Sequence, residues 1–165
     1  MLRALDLDMH CGWALFTRAG ARLASGVWHL GKDAVRGRFG ELLLCLRTKV
    51  GAQGVKRVAY EHVRRHAATT AAHVFGGWLA VLDMLQAATH VELLGLRTQD
   101  LHAAAGVTSA SKRDFPDRER RRTENKRRMV AAAVTRGWAV ADDNEAEACF
   151  CGIAALAKGT GASHG

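Results

Sequence analysis

Two carboxylates stand where an apolar strand would bury them. Asp6 lies inside the first apolar run, between Leu5 and Leu7, and Glu61 directly follows the apolar segment Val58–Tyr60. An ionised acid is costly in such surroundings unless it is paired or binds a cation. Taken singly, Asp6 could be an ordinary strand-end residue and Glu61 a surface acid. Taken together, they are candidate cation ligands.

A third group of acids opens the last predicted helix, in the run DDNEAEA from Asp142 to Ala148. Glu147 lies four positions after Asp143 and three after Asn144, so these three share one helix face, whereas Glu145 points elsewhere. By itself, such a run is most often an acidic first helical turn. Hard oxygen ligands from two strands and a helix suit Mg²⁺ or Mn²⁺ rather than Zn²⁺. Two such ions, about 3.5–4 Å apart, would activate a water and stabilise the leaving oxygen of a phosphodiester.

The basic residues point to a polyanionic partner. The chain has 24 Lys and Arg against 16 Asp and Glu, a formal charge of +8, and 18 of the basic residues are Arg. Guanidinium is the better bidentate partner for phosphate, although a GC-rich genome also enriches Arg, so composition leaves both causes open. The segment Lys112–Arg128 alone holds nine basic and four acidic residues. We expect Ala110–Arg122 to be disordered when free and ordered against DNA, the alternative being a solvated loop without a partner.

Other chemistries and compartments have less support. The four cysteines form no C-x-x-C pair and no zinc spacing, so we expect reduced, buried thiols. We find no signal peptide and no apolar run near the roughly 18–20 residues of a membrane span. We therefore expect a cytoplasmic protein (host cytoplasm if phage-encoded), with no membrane partner and no small organic cofactor. His62 and His66 are interpreted as loop residues; if one takes part in catalysis, a proton relay fits better than zinc ligation.

The apolar pattern predicts the elements that position these residues. Strands are predicted over Leu2–Leu7, Gly12–Thr17, Ala21–Leu30, Lys56–Tyr60 and Val91–Leu94. Helices are predicted over Ala34–Lys49, Thr70–Gln86, Thr123–Gly137 and Asp142–Ala157. Gly106–Arg122 has no hydrophobic period and is expected to be a flexible basic loop, and residues 158–165 a mobile tail. This order predicts one α/β domain over residues 1–157, a mixed five-stranded sheet flanked by helices.

Three segments in order resemble the RuvC-type Holliday-junction resolvases of the RNase H-like superfamily, most closely their compact phage-borne members. They are ALDLDMHCGWALF, VAYEHVRRHAATTAAHVFGGWLAVL, and NKRRMVAAAVTRGW leading into DDNEAEA. The resemblance covers Leu2 to about Leu156. It implies an RNase H-like fold and an endodeoxyribonuclease that resolves four-way or otherwise branched DNA by paired symmetric hydrolysis. It also implies two Mg²⁺ ions per active site, with Mn²⁺ able to substitute. Two symmetric cuts imply a homodimer. The helix Thr70–Gln86 is a candidate interface through Phe75, Trp78, Leu79 and Leu82 or, equally, an ordinary core helix packed on the sheet.

The resemblance also assigns the acids. Asp6 matches the family's first-strand Asp and Glu61 its strand-ending Glu, while Glu147 stands in place of a final Asp. Asn144 occupies the other position of the family's D-x-x-D pair, where Asp143 could supply the missing charge. The implied catalytic residues are Asp6, Glu61, Asn144 and Glu147, and Asp143 joins them as a metal ligand.

Two further positions and a basic set complete the expectations. Asp8 stands where the family commonly has Gly, and either adds charge near the metals or faces solvent. Lys126 matches a Lys near the start of the penultimate helix, either a phosphate contact or a solvated base. The expected DNA-binding residues are Arg64, Arg65, Lys112, Arg113, Arg118, Arg120, Arg121, Arg122, Lys126 and Arg127. Two other functions stay open: an RNase H-like nuclease acting on hybrids or flaps, and a non-catalytic junction-binding module.

Overall fold

A computed structural model describes residues 1–31, 37–63 and 69–160. Its sheet has five strands: β1 (Leu2–Asp6), β2 (His10–Phe16), β3 (Arg22–His29), β4 (Arg57–Glu61) and β5 (Glu92–Leu96). Their order across the sheet is β3-β2-β1-β4-β5. The β1–β2 and β2–β3 pairs are antiparallel, whereas β1–β4 and β4–β5 are parallel. The prediction of a mixed five-stranded sheet in an α/β fold is confirmed.

Five helices are described: α1 (Gly37–Gln53), α2 (Thr69–Thr89), α3 (Thr98–Ala105), α4 (Arg118–Thr135) and α5 (Asp143–Thr160). Four of them match predicted helices, although the first three residues predicted for α1, 34–36, lie outside the described residues. The prediction missed α3, whose eight residues are too few for a clear hydrophobic period. Residues 158–160 belong to α5 rather than to a tail, and 161–165 lie outside the described residues.

The predicted start of α4 was wrong. The helix begins at Arg118, so residues 118–122 are helical and do not belong to a loop. Asp117 caps this end, because its carboxylate accepts a hydrogen bond of 2.8 Å from the backbone N–H of Arg120. The Arg121 side chain donates to the carbonyl oxygens of Phe115 and Pro116 at 2.6 Å each. The Asp117 cap and the hydrogen bonds of Arg121 therefore stabilise these first turns, which lack the apolar stripe by which a helix is recognised in a sequence.

Two hydrophobic layers cover the sheet. On one face α5 packs on small residues of the strands, and Phe150 is fully buried there. On the other face α1 and α2 build a core that includes Leu42, Trp78 and Leu82. By length and a mean hydropathy of 1.2, α2 is the described helix that could cross a membrane, with 28% of that stretch buried in this fold.

Gly12 on β2 sets the distance between the sheet and α5. Gly12 is paired with Asp6 across the two strands. A Cβ at this position would lie 1.9 Å from the backbone carbonyl oxygen of Asn144. Only a residue without a side chain therefore allows the first turn of α5 to approach the end of β1, where Asp6 stands.

Arg3 is an unusual component of the second core, because its side chain is fully buried in the middle strand of the sheet. The guanidinium lies 5.0 Å from the ring centre of Trp13 and 5.6 Å from that of Trp28. One Nη donates to Gln53, whereas Nε and the other Nη are buried without a hydrogen-bond partner in the described structure. Burying these donors opposes folding, and the two indole rings offset part of that cost.

Candidate metal centre and basic cleft

Three carboxylates meet at one end of the sheet. Asp6 is the last residue of β1 and Glu61 the last residue of β4, and these strands are parallel neighbours, so both acids stand at the same edge. Glu147 reaches them from the second turn of α5. One oxygen from each carboxylate lies within 4.8 Å of the others. Among the described residues, this is the one group of three or more His, Cys, Asp or Glu side chains close enough to share a metal ion.

The protein holds these acids together against their mutual repulsion. Asp6 is 9% exposed and Glu61 8% exposed. Burial, followed by the charges of Glu147 and Glu61, raises the pKa of Asp6 well above its ordinary value. Burial, followed by the charges of Glu61 and Asp143, raises the pKa of Glu147 to about 8. Such shifts are typical of functional sites, where a bound cation would supply the missing counter-charge.

Lys126 lines the same cleft as the carboxylate triad of Asp6, Glu61 and Glu147. Its ammonium donates to the Asp143 carboxylate. The charge of Lys126 also lowers the pKa of both Asp6 and Glu147, which partly opposes the effect of burial. Lys126 thus lies beside the triad, and its direct ion-pair partner is Asp143.

The other polar residues near the start of α5 lie in different environments. Asn144 lines the cleft beside the triad, and its amide donates to the Asp142 carboxylate at 3.3 Å. Glu145 points away, as expected, and accepts hydrogen bonds from the Ser25 hydroxyl at 2.5 Å and from the backbone N–H of Ala141 at 2.7 Å. Asp143 lies outside the group of three and is bound by Lys126. The triad therefore contains Glu147, with Asn144 as the neighbouring neutral oxygen donor.

Asp8 lies at the mouth of the site. It is exposed, as one of the two interpretations required, and its carboxylate accepts a hydrogen bond of 2.7 Å from the backbone N–H of Met9. It also lines the cleft, and its charge contributes to the raised pKa of Asp6. Asp8 thus faces solvent and also places a negative charge near Asp6.

The sequence-based prediction missed Thr98 and His102, which lie one turn apart on α3 and line the same cleft. The Thr98 hydroxyl donates a hydrogen bond to Oε1 of Glu61. A ring nitrogen of His102, Nδ1, lies 2.7 Å from the Ser109 hydroxyl, and burial lowers the pKa of the imidazole. The sequence contained a usable signal, because Thr98 follows the end of β5 by two residues. Since β4 and β5 are parallel neighbours, a residue just after β5 lies beside the end of β4.

The cleft above the triad has a volume of about 1010 Å³ and one strongly basic wall. The N-terminal half of α4 forms this wall with four of the predicted DNA-binding residues: Arg118, Arg121, Arg122 and Lys126. The rest of the lining includes Met9, Val74, Phe75 and Trp78, together with Arg38. The arrangement can accept an anionic chain along α4 while the triad faces one of its phosphates.

The other basic residues predicted to bind DNA are not part of the described cleft lining. Arg127 donates twice to the Glu124 carboxylate at 2.8 Å, and Arg120 lines a separate hollow beside Phe115. Lys112 and Arg113 are exposed in the segment before α4. Arg64 and Arg65, like His66, lie outside the described residues. His62 packs against the ring of Phe75, with centroids 6.1 Å apart, in agreement with its interpretation as a loop residue.

Comparisons with known proteins identify the fold. No protein-family model and no curated protein matches this sequence. A solved structure of Thermus thermophilus RuvC in complex with a Holliday junction substrate aligns with a TM-score of 0.70 over 97% of this chain and 95% of that chain, at 13% identity. A second T. thermophilus RuvC structure aligns with a TM-score of 0.69 over 97% and 96% of the two chains, at 15% identity. The chain therefore has a RuvC-like, RNase H-like fold.

Proposed function

We propose that this protein is a metal-dependent endodeoxyribonuclease that binds branched DNA, four-way junctions above all, and resolves it by paired phosphodiester hydrolysis. The observation that carries the proposal is the triad of Asp6, Glu61 and Glu147 at the base of a cleft with a basic wall. The fold adds support, because a solved structure of similar fold is described as holding a Holliday junction.

The donor set of the triad fits a hard divalent cation. All three ligands are carboxylates, with neither thiol nor imidazole among them, and this chemistry favours Mg²⁺ or Mn²⁺ over Zn²⁺. Asp6, Glu61 and Glu147 would hold the ion, and Asn144 or Asp143 would contribute to a second. When bound, such ions supply Lewis-acid activation of water and neutralise charge that develops on the phosphate.

The residues of the chain would orient the DNA. Arg118, Arg122 and Lys126 lie on the cleft side of α4, where phosphates of a bound strand would approach the triad. Backbone contacts of this kind recognise the shape of a junction more than its bases. Lys112, Arg113 and Arg120 would extend the contact outside the cleft, whereas Arg127 is already bound by Glu124.

We further propose a homodimer, because two symmetric cuts need two active sites related by a two-fold axis. The expected interface residues Phe75, Trp78 and Leu82 are buried in the core beneath α2 and cannot form it. We therefore assign the contact to the exposed face of α2, where Gly76, Ala80 and Met84 follow one another at four-residue spacing and Met84 is 59% exposed. Sedimentation of the wild type should give a dimer and Ala80→Glu a monomer. A wild-type monomer at micromolar concentration with full paired cleavage would contradict this assembly.

Cleavage of a labelled four-way junction tests the function. With Mg²⁺ the wild type should give paired nicks, and Asp6→Asn or Glu61→Gln should abolish them while junction binding persists. Glu92→Gln is the matched control, since Glu92 is an exposed acid at the opposite end of the parallel strands, bound to Arg57.

The outcomes distinguish the alternatives. Symmetric nicking that survives Asp6→Asn would refute the proposed site. Faster cleavage of an RNA–DNA hybrid or a flap would assign the same site to a different substrate. Junction binding without cleavage, together with no heat of Mn²⁺ binding, would indicate a non-catalytic junction-binding module.

A further inference from the structure

The hydrogen bond between Thr98 and Glu61 joins the metal centre to an element that contributes no acid to it. Glu61 ends β4 and is paired in register with Leu96, the last residue of β5. Thr98 follows two positions later as the first residue of α3. The Thr98 hydroxyl donates to Oε1 of Glu61. One of the two carboxylate oxygens is therefore engaged, while the other is left for a cation.

The backbone around Thr98 is held in place on two sides. The N–H of Arg97 donates to the Asp100 carboxylate at 2.9 Å, which fixes the first turn of α3. Lys158 of α5 donates to the same carboxylate at 2.9 Å. The N–H of His62 donates to the carbonyl of Leu96 at 2.6 Å and ties the residue after Glu61 to β5. These hydrogen bonds hold the backbone that carries the Thr98 hydroxyl in a fixed position relative to both β4 and α5.

The type of donor is as important as its position. Asp143, the acid next to the triad, is bound by the ammonium of Lys126, which offsets its charge. Glu61 is bound by a neutral hydroxyl, which orients the carboxylate and leaves its full negative charge to attract a cation. A glutamate side chain has three rotatable bonds, and fixing them before the cation arrives removes an entropic cost of binding.

We propose that Thr98 is a positioning residue that presets the Glu61 carboxylate for binding of the divalent cation. This inference rests on the proposed function of the triad. Groups that orient metal ligands in this way typically change metal affinity by about 10–100-fold when they are removed.

Calorimetric titration of the full-length protein with Mn²⁺ tests the inference. Thr98→Val, which keeps the shape and removes the hydroxyl, should weaken Mn²⁺ binding by about 10–100-fold. Thr98→Ser should bind Mn²⁺ nearly as the wild type does. Thr135→Val is the matched control and should bind Mn²⁺ as the wild type does, because the Thr135 hydroxyl donates to the carbonyl oxygen of Ala131 within α4 and is not part of the cleft lining. Thr98→Ala replaces the valine variant if urea unfolding shows that Thr98→Val is not folded.

Junction cleavage as a function of Mn²⁺ concentration adds a second readout. In Thr98→Val the Mn²⁺ concentration for half-maximal rate should rise, while the rate at saturating Mn²⁺ should fall much less. If the wild type and Thr98→Val bind Mn²⁺ equally and Glu61→Gln binds it more weakly, the role of Thr98 is refuted but the proposed metal centre is not. No Mn²⁺ binding by the wild type, or binding unaffected by Glu61→Gln, would overturn the proposed metal centre and this inference with it.

Discussion

Replacing Glu147 by Gln should change how the stability of the metal-free protein depends on pH. In the folded protein the pKa of Glu147 is raised to about 8 from an ordinary 4.5, so the folded state binds this proton more tightly than the unfolded chain does. The contribution of Glu147 to stability is therefore fully present below pH 4.5 and is lost as the pH rises to about 8. The raised pKa of Asp6 acts in the same direction.

The magnitude follows from the two pKa values of Glu147. At 1.36 kcal/mol for each pH unit between 4.5 and about 8, the charged side chain lowers the free energy of unfolding at pH 9 by up to about 5 kcal/mol. Domains are typically stable by only about 5–15 kcal/mol, so this is a large fraction of the total. Glutamine has nearly the same shape and no charge, and its presence should remove most of the loss.

Urea unfolding in EDTA at pH 5 and pH 9 measures this effect. The wild type should lose stability between the two values, and Glu147→Gln should lose much less and exceed the wild type at pH 9. Glu92→Gln, at an exposed glutamate, should retain the wild-type dependence. The reasoning is refuted if Glu147→Gln loses as much stability between pH 5 and pH 9 as the wild type does.

Three further changes test other parts of the structure. Gly12→Ala should lower the free energy of unfolding by about 1–3 kcal/mol and impair junction cleavage, because the alanine Cβ would collide with α5. Gly51→Ala is the control and should not destabilise the protein, because this position on α1 faces open space. Arg3→Met should raise the free energy of unfolding in urea by about 1–4 kcal/mol, and a decrease would mean that the two indole contacts outweigh the buried donors. Arg122→Ala should reduce the slope of log junction affinity against log salt by about 0.9, whereas Arg127→Ala should change it less; equal effects would contradict the assignment of the cleft wall.

The sequence was sufficient to predict the sheet and to include all three triad acids among the candidate ligands. Asp6 and Glu61 each end an apolar strand, and burying a carboxylate there is so unfavourable that it indicates a function. Helical spacing also placed Glu147 beside Asp143 and Asn144. It could not separate them, because all three share a face and the choice depends on partners elsewhere in the chain. In the structure the α4 residue Lys126 binds Asp143, and Glu147 remains in the triad.

The parts that escaped prediction have little apolar periodicity. The first turns of α4 are stabilised by the Asp117 cap and by hydrogen bonds made by Arg121. Because apolar periodicity is absent there, these residues were predicted to form a loop. The helix α3 has eight residues, of which Leu101 and His102 are buried, too few to reveal a period. The position of Thr98 just after β5 was a usable signal, but the register of β4 and β5 was needed to place Thr98 beside Glu61.

The position of Glu147 on α5 has a consequence for the whole chain. This helix contacts every strand of the sheet as well as α3 and α4. A cation held by all three carboxylates would join residues that are 55 and 86 positions apart in the sequence, between Asp6 and Glu61 and between Glu61 and Glu147. It would therefore act as a reversible cross-link between β1, β4 and α5 at one end of the sheet. Cation binding should then appear as a rise in melting temperature of the entire domain.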